Sequence, residues 1–135
     1  MARALGPERT QLCYRVRSLI DAGIRVPGSS DAPMVDGSPI LGIHDFVNRR
    51  TAGGAEFGPA ETITAEQALR AYTVDSAYAS HEDTLKGDLS IGKLADFTVL
   101  SDDLLQVPAE ELKDVQVGAT VVGGEIRYDD SAIRS

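Results

Sequence analysis

The chain reads as α/β structure followed by antiparallel β structure, and three observations carry that reading. Apolar residues recur at helical spacing in three stretches before residue 80, a short β-like run follows the first of them, and from Leu85 onward short β-rich runs alternate with glycine turns. Helices interleaved with a strand and then a run of strands indicate two pieces of different architecture. The texture changes between Ser80 and Gly87, which divides the chain into residues 1–84 and 85–135.

Taken in order, Gly6-Pro7-Glu8 has the form of a helix start, because proline suits the first helical position and an early carboxylate suits the positive end of the dipole. Leu12, Val16, Leu19 and Ile20 then fall on one face of a helix that should end near Gly23. Ile24-Arg25-Val26 reads as a strand, kept short or bulged by Pro27, which has no ladder donor. Residues 28–33 are a loop by composition. Ile40, Ile43, Phe46 and Val47 mark a second helix from about Ile40 to Arg50, and the three glycines and proline of residues 51–59 mark an exposed loop. Thr64 and Gln67 have capping-box spacing and open a third helix through Leu69, Tyr72 and Ala77.

In the second piece, strands are expected at 95–100, 115–122 and 125–128, the last two joined by a hairpin at Gly123-Gly124. Glu110 to Asp114 should form a solvated helical turn after Pro108.

At 135 residues the chain can bury roughly two-thirds of its unfolded surface as one unit. The net charge of −8 with scattered basic residues argues against a nucleic-acid footprint, which needs clustered Lys and Arg. Arg49 and Arg50 are the densest basic pair and read as a solvated helix end. No segment approaches the ~20 apolar residues of a membrane span and the N-terminus has no signal-peptide core, so a soluble, cytoplasmic chain is expected. Cys13 has no disulfide partner and sits on the apolar face of the first helix pattern, where a small buried residue is expected rather than a nucleophile.

Asp31 is the best candidate for chemistry. It lies just beyond the 24–26 run, where barrel enzymes place catalytic groups, although an Asp before Ala-Pro also serves as an ordinary turn residue. His44 reads as a helix-surface residue. His81, beside Glu82 and Asp83, has neighbours that favour its protonated form. No G-x-S-x-G elbow accompanies Ser30. Lys93 and Asp96 read as turn residues that pair or bond backbone groups and set the angle at which the chain joins its strand.

The stretch Gly87-Asp-Leu-Ser-Ile-Gly-Lys-Leu-Ala-Asp-Phe-Thr-Val-Leu100 resembles the G-x-L-x-x-G-K-x-A-D signature of metal-dependent amidohydrolases. Two further segments agree with it in order and spacing: Arg17 to Val26 leading to Ser30-Asp31-Ala32-Pro33, and Thr64 to Tyr78. From Leu5 to Tyr128 the chain is similar to the C-terminal portion of the YtcJ-like, N-acyl-amino-acid deacylase-like branch of that superfamily. The resemblance implies the last one or two βα units of a TIM-type barrel in 1–84, followed in 85–135 by the C-terminal part of a small composite β-sandwich domain. It implies hydrolysis of non-peptide C–N bonds of a small amide-type substrate, with a divalent metal, zinc by family expectation. Asp31 falls at the family's aspartate that is both metal ligand and catalytic base.

The chain departs from that pattern in Pro27, Gly28 and Ser29, and in its ligand set. The family's early His-x-His pair, its bridging carboxylated Lys or acid, and its two later histidines have no counterpart: His44 and His81 both follow Asp31 at positions where the family has no ligand. A hydrolytic metal site needs about three protein ligands. The isolated chain is therefore expected to be inactive and to hold no metal tightly. The alternative expectation is a non-catalytic remnant that covers its exposed sheet edges and apolar face by forming a homo-oligomer or binding a partner chain.

Overall fold

A computed structural model describes residues 2–131 and 133. Five α-helices, the first of them kinked at the non-helical Gly6 (φ 73°) just before Pro7, precede a three-stranded antiparallel sheet: α1 (Ala2–Thr10), α2 (Val16–Asp21), α3 (Pro39–Asn48), α4 (Ala65–Tyr72), α5 (Val74–Ala79), β1 (Phe97–Leu100), β2 (Val117–Val122) and β3 (Glu125–Asp129). Short 3₁₀ turns lie at Pro59–Glu61 and Ala109–Asp114. The sheet order is β1-β2-β3, with Phe97 opposite Val121 and Val121 opposite Ile126.

The expected first helix is two helices. Residues 11–15 break it, with Tyr14 at φ 52°, and the turn presents the Cys13 carbonyl to the Arg49 guanidinium at 3.4 Å. Cys13 is consequently half-buried in a turn rather than buried on a helix face. α2 does end at Gly23: the Gly23 N–H bonds the Ile20 carbonyl at 2.8 Å and the Ile24 N–H bonds that of Leu19 at 3.0 Å, a Schellman closure.

No strand forms at 24–26. Pro27 removes one donor, and the next amide, of Gly28, bonds the Ala71 carbonyl of α4 at 2.8 Å instead of a neighbouring strand. Among the described residues the helical part thus contains no parallel sheet, only an isolated bridge between Arg50 and Glu56.

The capping box forms as expected, Thr64 Oγ1 accepting from the Gln67 N–H at 3.1 Å and Gln67 Oε1 from the Thr64 N–H at 3.0 Å. The third helix pattern is then interrupted at Thr73, which separates α4 from α5. One apolar core gathers Val16, Ile40, Ile43, Ile63 and Ala68 together with Leu104, Leu112 and Val115, so residues from both sides of the change in texture share it.

Three of the marked positions in the Gly87–Leu100 signature, Gly87, Lys93 and Asp96, have a visible physical role. A Cβ on Gly87, which has φ +103°, would lie 2.8 Å from the Ala77 Cβ, so this glycine lets the chain pass against α5. Lys93 pairs with Asp88 at 2.8 Å rather than with Asp96, and Asp96 Oδ1 accepts the Gly123 N–H at 2.7 Å across the sheet. Lys93 thus serves the turn itself, whereas Asp96 bonds a backbone amide of the later hairpin.

Candidate active site

Asp31 stands on the wall of a cleft of about 800 Å³, between the 28–38 loop, α3 and the segment before α2. The same cleft takes in Ser30, Asp45, Arg49 and Tyr72. The loop is held locally. The Asp31 N–H bonds Ser29 Oγ at 3.3 Å, and the Asp31 carbonyl accepts the Met34 N–H at 3.0 Å. Asp31 adopts φ 58°, a left-handed conformation that Asp tolerates better than most residues. Its side chain is exposed.

The approach to that loop is fixed by α4. The Tyr72 hydroxyl donates to the Ser29 carbonyl at 3.3 Å, while its ring packs tilted on Phe46 with centroids 6.0 Å apart. Two glycines make room for it. A Cβ on Gly28 would sit 2.7 Å from the ring, and one on Gly42 would collide with the hydroxyl. Burial, reinforced by the nearby Asp45, raises the Tyr72 pKa, so the phenol stays protonated as a donor.

Arg49 corrects the expectation of a solvated basic pair: Arg50 is exposed, but Arg49 is 6% exposed. As the left-handed cap of α3 (φ 51°) it turns inward, donating to the carbonyls of Gly58 at 3.3 Å and Cys13 at 3.4 Å, with its guanidinium over the Phe57 ring. Burial lowers its pKa, opposed by the charges of Glu61 and Asp45. Glu61 is buried too, accepting from both the N–H (2.9 Å) and the hydroxyl of Ser18. The Ser18 hydroxyl first, and then its N–H, hold the Glu61 carboxyl below the usual range. Sequence reasoning missed Tyr72, Arg49 and Glu61 as a supporting framework. The closeness of Gly28 and Gly42 to the site was the available hint.

The two histidines do not join Asp31. His44 lies on α3, its Nδ1 3.1 Å from Asp45 Oδ1, and does not line the cleft. His81 is exposed beyond α5 at φ 59°. Ser30 shares the cleft with Asp31 without a histidine, so no Ser-His-Asp arrangement exists there. Among the described residues no group of three or more His, Cys, Asp or Glu side chains could hold a metal ion. Asp31 offers one donor, and the residues present do not by themselves fit a catalytic metal.

The glycine-turn signature that leads into the small antiparallel sheet points to a class, the amidohydrolases, of which this is a partial chain. The chain belongs to the amidohydrolase family, whose model matches residues 1–128, and to its YtcJ-like branch. It is 40% identical over 116 residues to N-substituted formamide deformylase of Arthrobacter pascens, a match covering 86% of this chain and 21% of that protein. It is 32% identical over 130 residues to YtcJ of Bacillus subtilis (strain 168), named as an amidohydrolase, covering 94% of this chain and 25% of YtcJ. With the Arabidopsis thaliana protein LONG AFTER FAR-RED 3 it shares 36% identity over 132 residues, covering 95% and 22%. The chain thus spans about a quarter or less of the length of these relatives. No solved structure matches it. Family membership suggests a TIM-type hydrolase barrel, and the helices and three-stranded sheet are consistent with a piece of one. No helix among the described residues is long and apolar enough to cross a membrane.

Proposed function

We propose that this chain is the C-terminal part of a metal-dependent hydrolase of non-peptide, amide-type C–N bonds, and that Asp31 is its contribution to the chemistry. The observation that carries the reading is Asp31 on the cleft wall, in a chain 40% identical to a protein named N-substituted formamide deformylase. That name makes N-substituted formamides the first substrates to try. Hydrolysis of such a bond needs a group that takes a proton from water and returns it to the departing amine, and a carboxylate can do both near neutral pH. Asp31 is exposed to the cleft and so open to water and substrate. The metal and its other donors belong to chain beyond these residues, with zinc the family expectation. The isolated chain is proposed to be inactive.

A chimaera tests this. The matched 116-residue region of the Arthrobacter deformylase is replaced by this chain's, and formamide hydrolysis is assayed with and without Asp31→Asn. Activity lost in the Asn variant, in a chimaera that keeps its circular dichroism, is the expected result. A folded chimaera whose activity survives Asp31→Asn overturns the role of Asp31.

A second reading, a non-catalytic module that self-associates or binds a partner chain, is favoured by one observation: Leu85, Leu89, Ile91 and Leu94 are all exposed within ten residues. Unpartnered apolar surface of that kind marks interaction sites. Light scattering across concentrations decides it, since a monomer at every concentration removes the homo-oligomer.

A further inference from the structure

A second cavity, about 250 Å³, shares no lining residue with the cleft that holds Asp31. Four cationic side chains face it, those of Arg25, Arg70, Lys86 and Lys93. Such a gathering runs against the chain's overall charge of −8. Its two lysines are committed, Lys93 to Asp88 at 2.8 Å and Lys86 to Glu82 at 2.7 Å. Asp88 is fully engaged, since it also accepts the Ser90 N–H at 2.9 Å.

The two arginines make no ion pair among the described residues, and the one remaining acid on the wall is Asp83. Arg25 is held without being neutralised: its guanidinium carbon lies 4.2 Å from the centroid of the Tyr78 ring. Stacking fixes the guanidinium and leaves N–H groups at its edge for a ligand. Arg70, in the last turn of α4, supplies a second guanidinium on the same cavity. Two uncommitted guanidinium groups on one small polar cavity match a tetrahedral oxyanion, which can accept bidentate hydrogen bonds from each. The volume accommodates such an ion with several waters at about 30 Å³ each.

We propose that this cavity binds a phosphate dianion, free or at the end of a small ester, through the N–H groups of Arg25 and Arg70. The site is independent of the hydrolytic reading and requires no metal.

The test is a titration of the full 135-residue chain with inorganic phosphate, and separately with phenyl phosphate, followed by NMR and calorimetry against sodium chloride of equal ionic strength. Saturable binding is expected, with shifts at Arg25, Arg70 and Tyr78. Arg25→Gln and Arg70→Gln should each weaken it roughly tenfold, as the loss of a charge-assisted bond does. Arg127→Gln, which alters an exposed pair with Glu125 on β3, should leave it unchanged. Arg70→Glu, at an exposed position that keeps the fold, should abolish binding even if Arg25→Gln disturbs the Tyr78 stack. Binding of both probes shows that the site takes phosphate free or ester-linked, and binding of inorganic phosphate alone restricts it to the free ion. Shifts that never saturate, that chloride reproduces, or that persist in Arg70→Glu overturn the proposal.

Discussion

Around α3 and the 3₁₀ turn at Ala109–Asp114, apolar side chains disappear from solvent: Ile43 is 2% exposed and Leu112 1%. Along residues 85–94 equally apolar side chains do not, and Ile91 is fully exposed. Both regions have the same kind of pattern, apolar residues spaced between polar ones and punctuated by Gly or Pro. The difference lies in whether the complementary surface is among the described residues. For α3 it is, because α4 and the later 3₁₀ turn pack against it. Leu85, Leu89, Ile91 and Leu94 find no such cover among the described residues and stay exposed. Patterning specifies which face is to be covered, and only tertiary placement supplies the cover.

That contrast predicts a steep gradient of mutational effects. Leu112→Ala should remove about 2–5 kcal/mol of unfolding free energy in urea, the usual cost of truncating a fully buried leucine. If it costs under about 1 kcal/mol, the shared core is not a core. Gly42→Ala drives a methyl group into the Tyr72 hydroxyl, an overpacking cost of about 1–3 kcal/mol. Combining it with Tyr72→Ala should relieve the clash, giving a double mutant less destabilised than the sum of the singles. Additive effects would mean that the ring does not occupy the space beside Gly42.

Glu61 gives a pH-dependent version of the same comparison. Its carboxyl is held below its unfolded value by the Ser18 bonds, so its contribution is present above the ordinary carboxylate range and is lost as pH falls through the folded value. Glu61→Gln should flatten the acid limb of a stability-pH profile, and an unchanged limb would show that the buried clasp contributes nothing. Thr64→Ala should cost about 1 kcal/mol through the lost cap. Ile91→Ala should stay within about 0.5 kcal/mol in the isolated chain, as exposed substitutions do. A larger loss would place Ile91 in a contact between copies.

The parts legible in the sequence are those whose signals are local. The Thr64–Gln67 box closes within three residues, the Gly123-Gly124 turn joins adjacent strands, and Gly23 closes a helix by its own backbone preference. What escaped depends on distant partners. Arg49 is buried because two carbonyls, of Gly58 and Cys13, lie where its side chain turns, the second 36 residues away. The 24–26 run is apolar enough for a strand but pairs with no neighbour, and the Gly28 amide just beyond it bonds the Ala71 carbonyl of α4. The candidate site shows the same division. Asp31 stood out from its place in the chain and from family likeness, whereas Tyr72, which steadies the loop from 43 residues away, carried no local mark.

The bond between Asp96 and the Gly123 amide spans 27 residues of chain. At a synthesis rate of about 5–20 residues per second, its acceptor leaves the ribosome roughly 1–5 seconds before its donor. During that interval the carboxylate lacks this partner and β2, the neighbour of β1, is still being made, while both residues of the α4 capping box are already in place. The aspartate of the family signature is therefore a late-closing clasp: Leu104, Leu112 and Val115, which complete the shared core, are all made in the interval before it shuts.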